Sequence, residues 1–134
     1  MLERFLILLA LVVFAVVVVQ VVRALARRRA QASVGQMAPD RLRSRLPAKG
    51  PAFVYFYGPN CATCADQALV LDALARAERI PVLSVDTARE QELADALGAL
   101  TIPTTALVDA AGRVRQVNLG YHPRHVLERQ LAAI

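Results

Sequence analysis

Hydrophobic and polar positions divide the chain into two regimes. From Phe5 to Val22, "FLILLALVVFAVVVVQVV", no residue is charged and Gln20 alone is polar. Eighteen helical residues at about 1.5 Å each span roughly 27 Å, enough to cross the core of a bilayer. The β-branched valines weaken a helix in water, but in lipid every unpaired backbone group costs several kcal/mol, so helix is the outcome. A buried helix of a soluble core fits poorly, because nothing polar marks an outer face. A cleaved secretory signal is the rival reading, since "ALA" at 24–26 has the small residues of a cleavage site. Against it, the apolar stretch exceeds the usual 7–15 residues or so, and Arg23 stands between it and the cut. The pattern predicts a short tail over 1–4 and a retained transmembrane anchor over 5–26.

The next stretch, residues 27–50, "RRRAQASVGQMAPDRLRSRLPAKG", has no long apolar run. It predicts a basic linker with one short helix over Asp40–Leu46, opened by Pro39-Asp40 and closed before Pro47. Residues 51–134 are densely patterned. "AFVYFY" (52–57), bounded by Pro51 and Gly58, has the length and composition of a buried strand. A helical pattern runs from Cys61 to about Arg79, and "VLSVD" after Pro81 predicts a second strand. "TAREQELADALGA" predicts an amphipathic helix with Thr87 as cap, Glu90 three residues on and Gly98 near its end. "TALVD" and "VRQVNLG" predict two strands around the turn "AAGR", and a last helix covers about Pro123–Ala132, turning Val126, Leu127 and Leu131 inward.

Two strands joined through a helix favour parallel pairing, while two joined by a tight turn favour antiparallel pairing. The expected fold class is therefore α/β: a mixed four-stranded sheet flanked by helices on both faces, over residues 51–134, preceded by one N-terminal transmembrane helix.

Charge sharpens this division. Residues 1–50 carry nine basic side chains against Glu3 and Asp40, whereas residues 51–134 carry seven against nine acidic ones. The net charge of +5 thus belongs to the segment beside the apolar helix. Arg27, Arg28 and Arg29 are placed to meet anionic lipid headgroups, each contributing about 1 kcal/mol. Four arginines within seven residues follow the helix and only Arg4 precedes it, which by the positive-inside tendency puts the domain in the cytoplasm, with an extracytoplasmic domain as the alternative. Nucleic-acid binding is set aside, since the domain shows neither a basic face nor aromatic stacking positions.

Both cysteines of the chain lie in "GPNCATC", as Cys61 and Cys64. That spacing suits a redox couple, half of a metal site, or two inert core thiols. His122 and His125 of "HPRH" could complete a tetrahedral zinc site, but 57 residues separate Cys64 from His122, where finger-type sites use about a dozen. The histidines fit better as surface residues at the start of the last helix.

Together, "CATC" at the first strand–helix junction, "VD" ending the second strand, "TIPTT" before the third and Gly120 after the fourth resemble the thioredoxin family. The resemblance covers about residues 50–134. It implies that Cys61 attacks and Cys64 resolves, that the Ile102–Pro103 bond is cis and lies against the disulfide, and that the Ile102 backbone pairs with an extended substrate segment. Physical chemistry agrees for the leading cysteine, because a helix start stabilises a thiolate, the nucleophile of disulfide exchange. The implied catalytic residues are Cys61 and Cys64, and the implied substrate-binding residues are Ile102 and Pro103. The expected partners are protein thiols or disulfides and a redox partner protein, with no metal and no cofactor.

Several residues depart from the family pattern. Asn60 replaces an aromatic residue before the first cysteine, and Ala62-Thr63 replaces Gly-Pro between the two. A buried acid of the first strand aligns with Tyr55, and its lysine partner with Val82. The reading is a membrane-anchored thiol–disulfide oxidoreductase. Its rival is a non-catalytic, membrane-tethered module that binds peptides or a metal on the same scaffold.

Overall fold

A computed structural model describes residues 1–134. Nine elements follow in chain order: α1 (Leu2–Ser33), α2 (Asp40–Arg43), β1 (Ala52–Tyr57), α3 (Cys64–Glu78), β2 (Val82–Asp86), α4 (Gln91–Ala96), β3 (Thr104–Val108), β4 (Val114–Leu119) and α5 (Arg124–Ala132). The strands form one mixed sheet in the order β2-β1-β3-β4. β1 and β2 are parallel, and β3 runs antiparallel to both β1 and β4, as the connections require.

The β1 sequence "AFVYFY" is apolar throughout because both faces of this central strand are covered. Val54 and Phe56 pack against Leu93, Ala94 and Leu97 of the α4 side and Leu42 of α2. Phe53 and Tyr55 face Leu71 and Leu74 of α3 and Leu127 of α5. Helices therefore lie on both sides of the sheet. Of the three residues expected to turn inward on α5, Leu127 is fully buried, while Val126 and Leu131 are half-buried.

Three boundaries differ from the sequence-based expectation. α3 begins at Cys64 rather than Cys61, because Asn60 is left-handed (φ 56°) and Thr63 takes the N-cap position. α4 begins at Gln91, and Thr87 does not cap it. The Thr87 hydroxyl instead donates to the Tyr57 carbonyl (3.0 Å), tying the end of β2 to the end of β1. The short helix expected over 40–46 is confined to Asp40–Arg43.

The largest difference lies in residues 27–50. The apolar helix does not stop at residue 26: α1 runs on to Ser33 and docks on the domain. Ala26, Ala30 and Ser33 are buried along one face, and the Ser33 hydroxyl shares its one proton between the carbonyls of Ala30 (2.7 Å) and Leu97 (3.0 Å). Gly98 permits the approach: it has φ +70°, and a Cβ there would lie 2.6 Å from the Ala30 nitrogen. Beyond the helix, the Gly35 amide donates to Val114 O (2.7 Å), Val114 N to Gln36 O (2.9 Å) and Ala38 N to Gly112 O (2.8 Å). Much of the segment read as a linker is thus built into the sheet edge and the core.

The N-terminal part of α1 is long and apolar enough to cross a membrane, and its most apolar window makes no buried contact with the rest of the protein.

Candidate functional site

The site assembles where β1 and β4 end and β3 begins. β1 delivers Tyr57 and then the turn Gly58–Thr63. The turn is held from two sides, since a Cβ on Gly58 would lie 2.9 Å from Thr87 Oγ1 and 3.0 Å from Ile102 Cδ1. Any side chain at this position would have to displace the tips of Thr87 and Ile102. Asn60 then adopts the left-handed region, which Asn tolerates better than an aromatic residue.

Cys61 and Cys64 are joined by a disulfide with S–S 2.07 Å and Cα–Cα 5.4 Å. Cys61 is only partly buried, whereas Cys64 is 8% exposed and packs into the cluster of Leu71, Leu74 and Phe53. Cys61 is therefore the more accessible of the two. The amides of Cys64, Ala65 and Asp66 open α3 without backbone acceptors, and no side chain caps them. These orphan donors and the helix dipole favour negative charge on a sulfur in front of them.

The Ile102–Pro103 peptide bond is cis. Pro103 is buried, and its carbonyl accepts the Gly120 amide (2.8 Å), which joins the loop before β3 to the loop after β4. Ile102 packs on the same cluster as Cys61. Neither its amide nor its carbonyl enters a hydrogen bond within the chain. The four residues singled out from the sequence are thus gathered at one end of the sheet.

Tyr55 and Gln67 contribute in ways the sequence did not declare. Tyr55 is 6% exposed, and its hydroxyl donates to the Cys64 carbonyl (2.6 Å). Burial, and after it the neighbouring Tyr57, raises the Tyr55 phenol above its ordinary value. The two tyrosine rings stack at 5.7 Å. With Cys64, Ala68 and Ser84 they line a shallow cleft, open to solvent and free of carboxylates, that reaches the inner cysteine. Val82 pairs with Phe53, and Ser84 is the residue beside Tyr55. Phe56 is buried as expected of strand core, and Tyr57 is half-buried.

Gln67, fully buried, clamps the backbone of His122. It accepts from the His122 amide (2.8 Å) and donates to the His122 carbonyl (3.2 Å). The signal was available: Gln67 is the one amide on the inward stripe Cys64, Gln67, Leu71, Leu74. His122 directs Nδ1 at the Gly120 carbonyl (3.1 Å), and His125 is exposed. No group of three metal-ligating side chains forms.

Comparison with known proteins agrees with this geometry. The family described as "TraF: F plasmid transfer operon protein" matches residues 22–132. A thioredoxin of Alicyclobacillus acidocaldarius is 33% identical over 86 residues, which is 63% of this chain and 81% of the relative. A Bacillus subtilis thioredoxin is 29% identical over 93 residues, 68% of this chain and 88% of the relative. Among solved structures, a mutant thioredoxin from Halobacterium salinarum superposes with a TM-score of 0.61 at 23% identity, covering 70% of this chain and 80% of its own. A thioredoxin-type sheet, a Cys-x-x-Cys disulfide at its first helix and a family match over most of the chain converge: the chain belongs to the TraF family of thioredoxin-like proteins.

Proposed function

We propose that the chain is a membrane-anchored protein thiol–disulfide oxidoreductase in which Cys61 exchanges with partner proteins and Cys64 resolves. The observation that carries this reading is the asymmetry of the pair: Cys61 only partly buried, before unpaired helix-opening amides, and Cys64 nearly enclosed behind it. A partner thiolate attacks Cys61, the Cys61–Cys64 bond breaks, and Cys64 leaves as a thiolate that takes a proton. A second partner thiolate then attacks the mixed disulfide and expels Cys61, so the partner leaves with a disulfide and the chain keeps two electrons. The reverse sequence oxidises the chain. Ile102 and Pro103 form the docking edge, where the free amide and carbonyl of Ile102 pair with an extended segment of the partner.

Retention of the apolar helix is supported by its far end. The small-residue triplet at 24–26 lies inside an unbroken helix whose Ala26 is buried against the domain, and the family match begins upstream of it, at residue 22. Cleavage there would require unwinding a docked helix.

The test uses the full chain in detergent micelles with a disulfide-bonded peptide. Cys64→Ser is expected to accumulate a mixed disulfide through Cys61, and Cys61→Ser to accumulate none. Thiolate formation at Cys61, read by alkylation against pH, is expected well below the ordinary value of about 8.5. A midpoint at about 8.5 or above, with no mixed disulfide, identifies the scaffold as a binding module instead.

A further inference from the structure

Docking of α1 fixes which end of the domain faces the membrane. Ser33 meets Leu97, and Gly35 pairs with Val114, where β4 begins. One turn back along the helix, Arg29 and Ala30 meet Gly98, on the loop that climbs towards Pro103. Arg27 and Ala30 then share a groove with Asn118, Leu119 and His122, where β4 ends. The helix is therefore antiparallel to β4 and, followed towards its N-terminus, leaves the domain at the end occupied by Pro103, Gly120 and the disulfide. The uncharged run begins at Val22, five residues before Arg27, or about 7–8 Å further along the helix axis.

Three surface features match that placement. Arg23, Arg27, Arg28 and Arg29 form a basic collar at headgroup depth. Leu100 and Tyr121, on the two loops flanking Pro103, are exposed (42% and 44%) although apolar or amphipathic, as suits a membrane–water boundary. Placed so, the site would leave room for an added strand of a partner rather than for a folded soluble domain. A folded domain of about 100 residues has a radius of gyration of about 13 Å, whereas an added strand needs only about 5 Å.

The geometry points to an active-site end that faces the bilayer, and to an exchange partner that is an integral membrane protein presenting a cysteine pair at headgroup level. The chemistry is the two-step exchange given above, with the membrane protein as the second dithiol or disulfide. The inference rests on the anchored-oxidoreductase reading, and the experiment separates the two.

The full-length Cys64→Ser chain is reconstituted in phosphatidylcholine–phosphatidylglycerol nanodiscs with a fluorophore on Cys61. Headgroup-labelled lipid is expected to quench it strongly. A seven-residue polar helical insertion after Arg23, which keeps the helix face and lifts the domain by about 10 Å, is expected to relieve the quenching. Unlabelled protein is then offered an activated cysteine disulfide on a transmembrane peptide, at its interfacial residue, and the same disulfide on a soluble peptide. The insertion is expected to slow the membrane-borne reaction at least tenfold and leave the soluble one unchanged. Equal rates with and without the insertion, or a fluorophore that headgroup quenchers do not reach, overturn the placement. If Cys61 reacts with neither peptide, the oxidoreductase reading itself falls and the membrane partner falls with it, while the quenching still reports which end faces the lipid.

Discussion

Tyr55 occupies the strand position where the thioredoxin resemblance implies an acid, and it does a different job there. A carboxylate can take a proton from the inner cysteine, whereas a buried phenol donating to the Cys64 carbonyl holds the backbone at the start of α3. Tyr55→Phe keeps the ring in the core and removes that hydrogen bond, with an expected loss of about 1 kcal/mol at about pH 8. The pH dependence follows from the raised phenol. Above about pH 10 the unfolded chain releases the tyrosine proton while the folded chain retains it, so this residue's contribution falls as pH rises through the folded-state value. Urea midpoints of the wild type and Tyr55→Phe in micelles are expected to differ at about pH 8 and to converge as pH rises above about 10, the ordinary phenol value. A gap that stays constant over that range contradicts the burial of the phenol. No carboxylate lines the cleft beside Cys64, so under the proposed mechanism its proton would exchange with solvent, and Tyr55→Asp is the variant that would add a second ionisation to the rate of resolution.

Among the elements, the junction of α1 with the domain has the sharpest sequence requirement. At Gly98 an alanine combines a left-handed backbone with a Cβ 2.6–2.7 Å from helix backbone atoms, which cannot yield as a flexible side chain would. Gly98→Ala is expected to cost about 2 kcal/mol or more, concentrated in the docking of residues 26–33. Amide exchange there and tryptic cleavage at Arg27–Arg29 should accelerate, with exchange in α3 little changed. Unaltered protection over 26–33 would mean the helix is not held by this contact. The same junction shows what the sequence did not reveal. The strands were legible because their apolar runs are short and bounded by Pro and Gly, whereas the pairing of Cys61 with Cys64 and the cis bond at Pro103 followed only from the thioredoxin resemblance, since the spacing alone left other readings open. The docking face consists of Ala26, Ala30 and Ser33, small residues suited to close approach, which leave no hydrophobic periodicity to read. The pairing of 35–38 with β4 uses backbone groups, to which side-chain patterns are blind. Gln67 and Thr87 carried readable polarity, but their partners, His122 and Tyr57, are fixed only once the sheet closes.

At the scale of the whole molecule, charge, helix and disulfide bear on a single question, the side of the membrane on which exchange takes place. Residues 1–50 hold nine basic side chains, eight of them after the apolar run, while Arg4 is the one before it. Lysine and arginine near the ends of a spanning helix bias its orientation, so this asymmetry predicts a cytoplasmic domain. The pair would then meet a compartment whose glutathione pool keeps ordinary thiols reduced, and Cys61–Cys64 would act mainly as an electron donor to its membrane partner. An alkaline phosphatase fused after Ile134 should therefore be inactive. Acid-quenched cells treated with a mass-shifting maleimide should show both cysteines modified, and the full-length chain should resist extraction with alkaline carbonate. An active fusion with a fully oxidised pair reverses the direction of electron flow: the disulfide seen between Cys61 and Cys64 would be the resting state, and the chain would oxidise its partner. Under the proposed placement, the docked α1 junction would keep the reactive end at the same depth in either orientation, so the compartment would set the direction of exchange and the docked helix would limit the partner to what the bilayer surface presents.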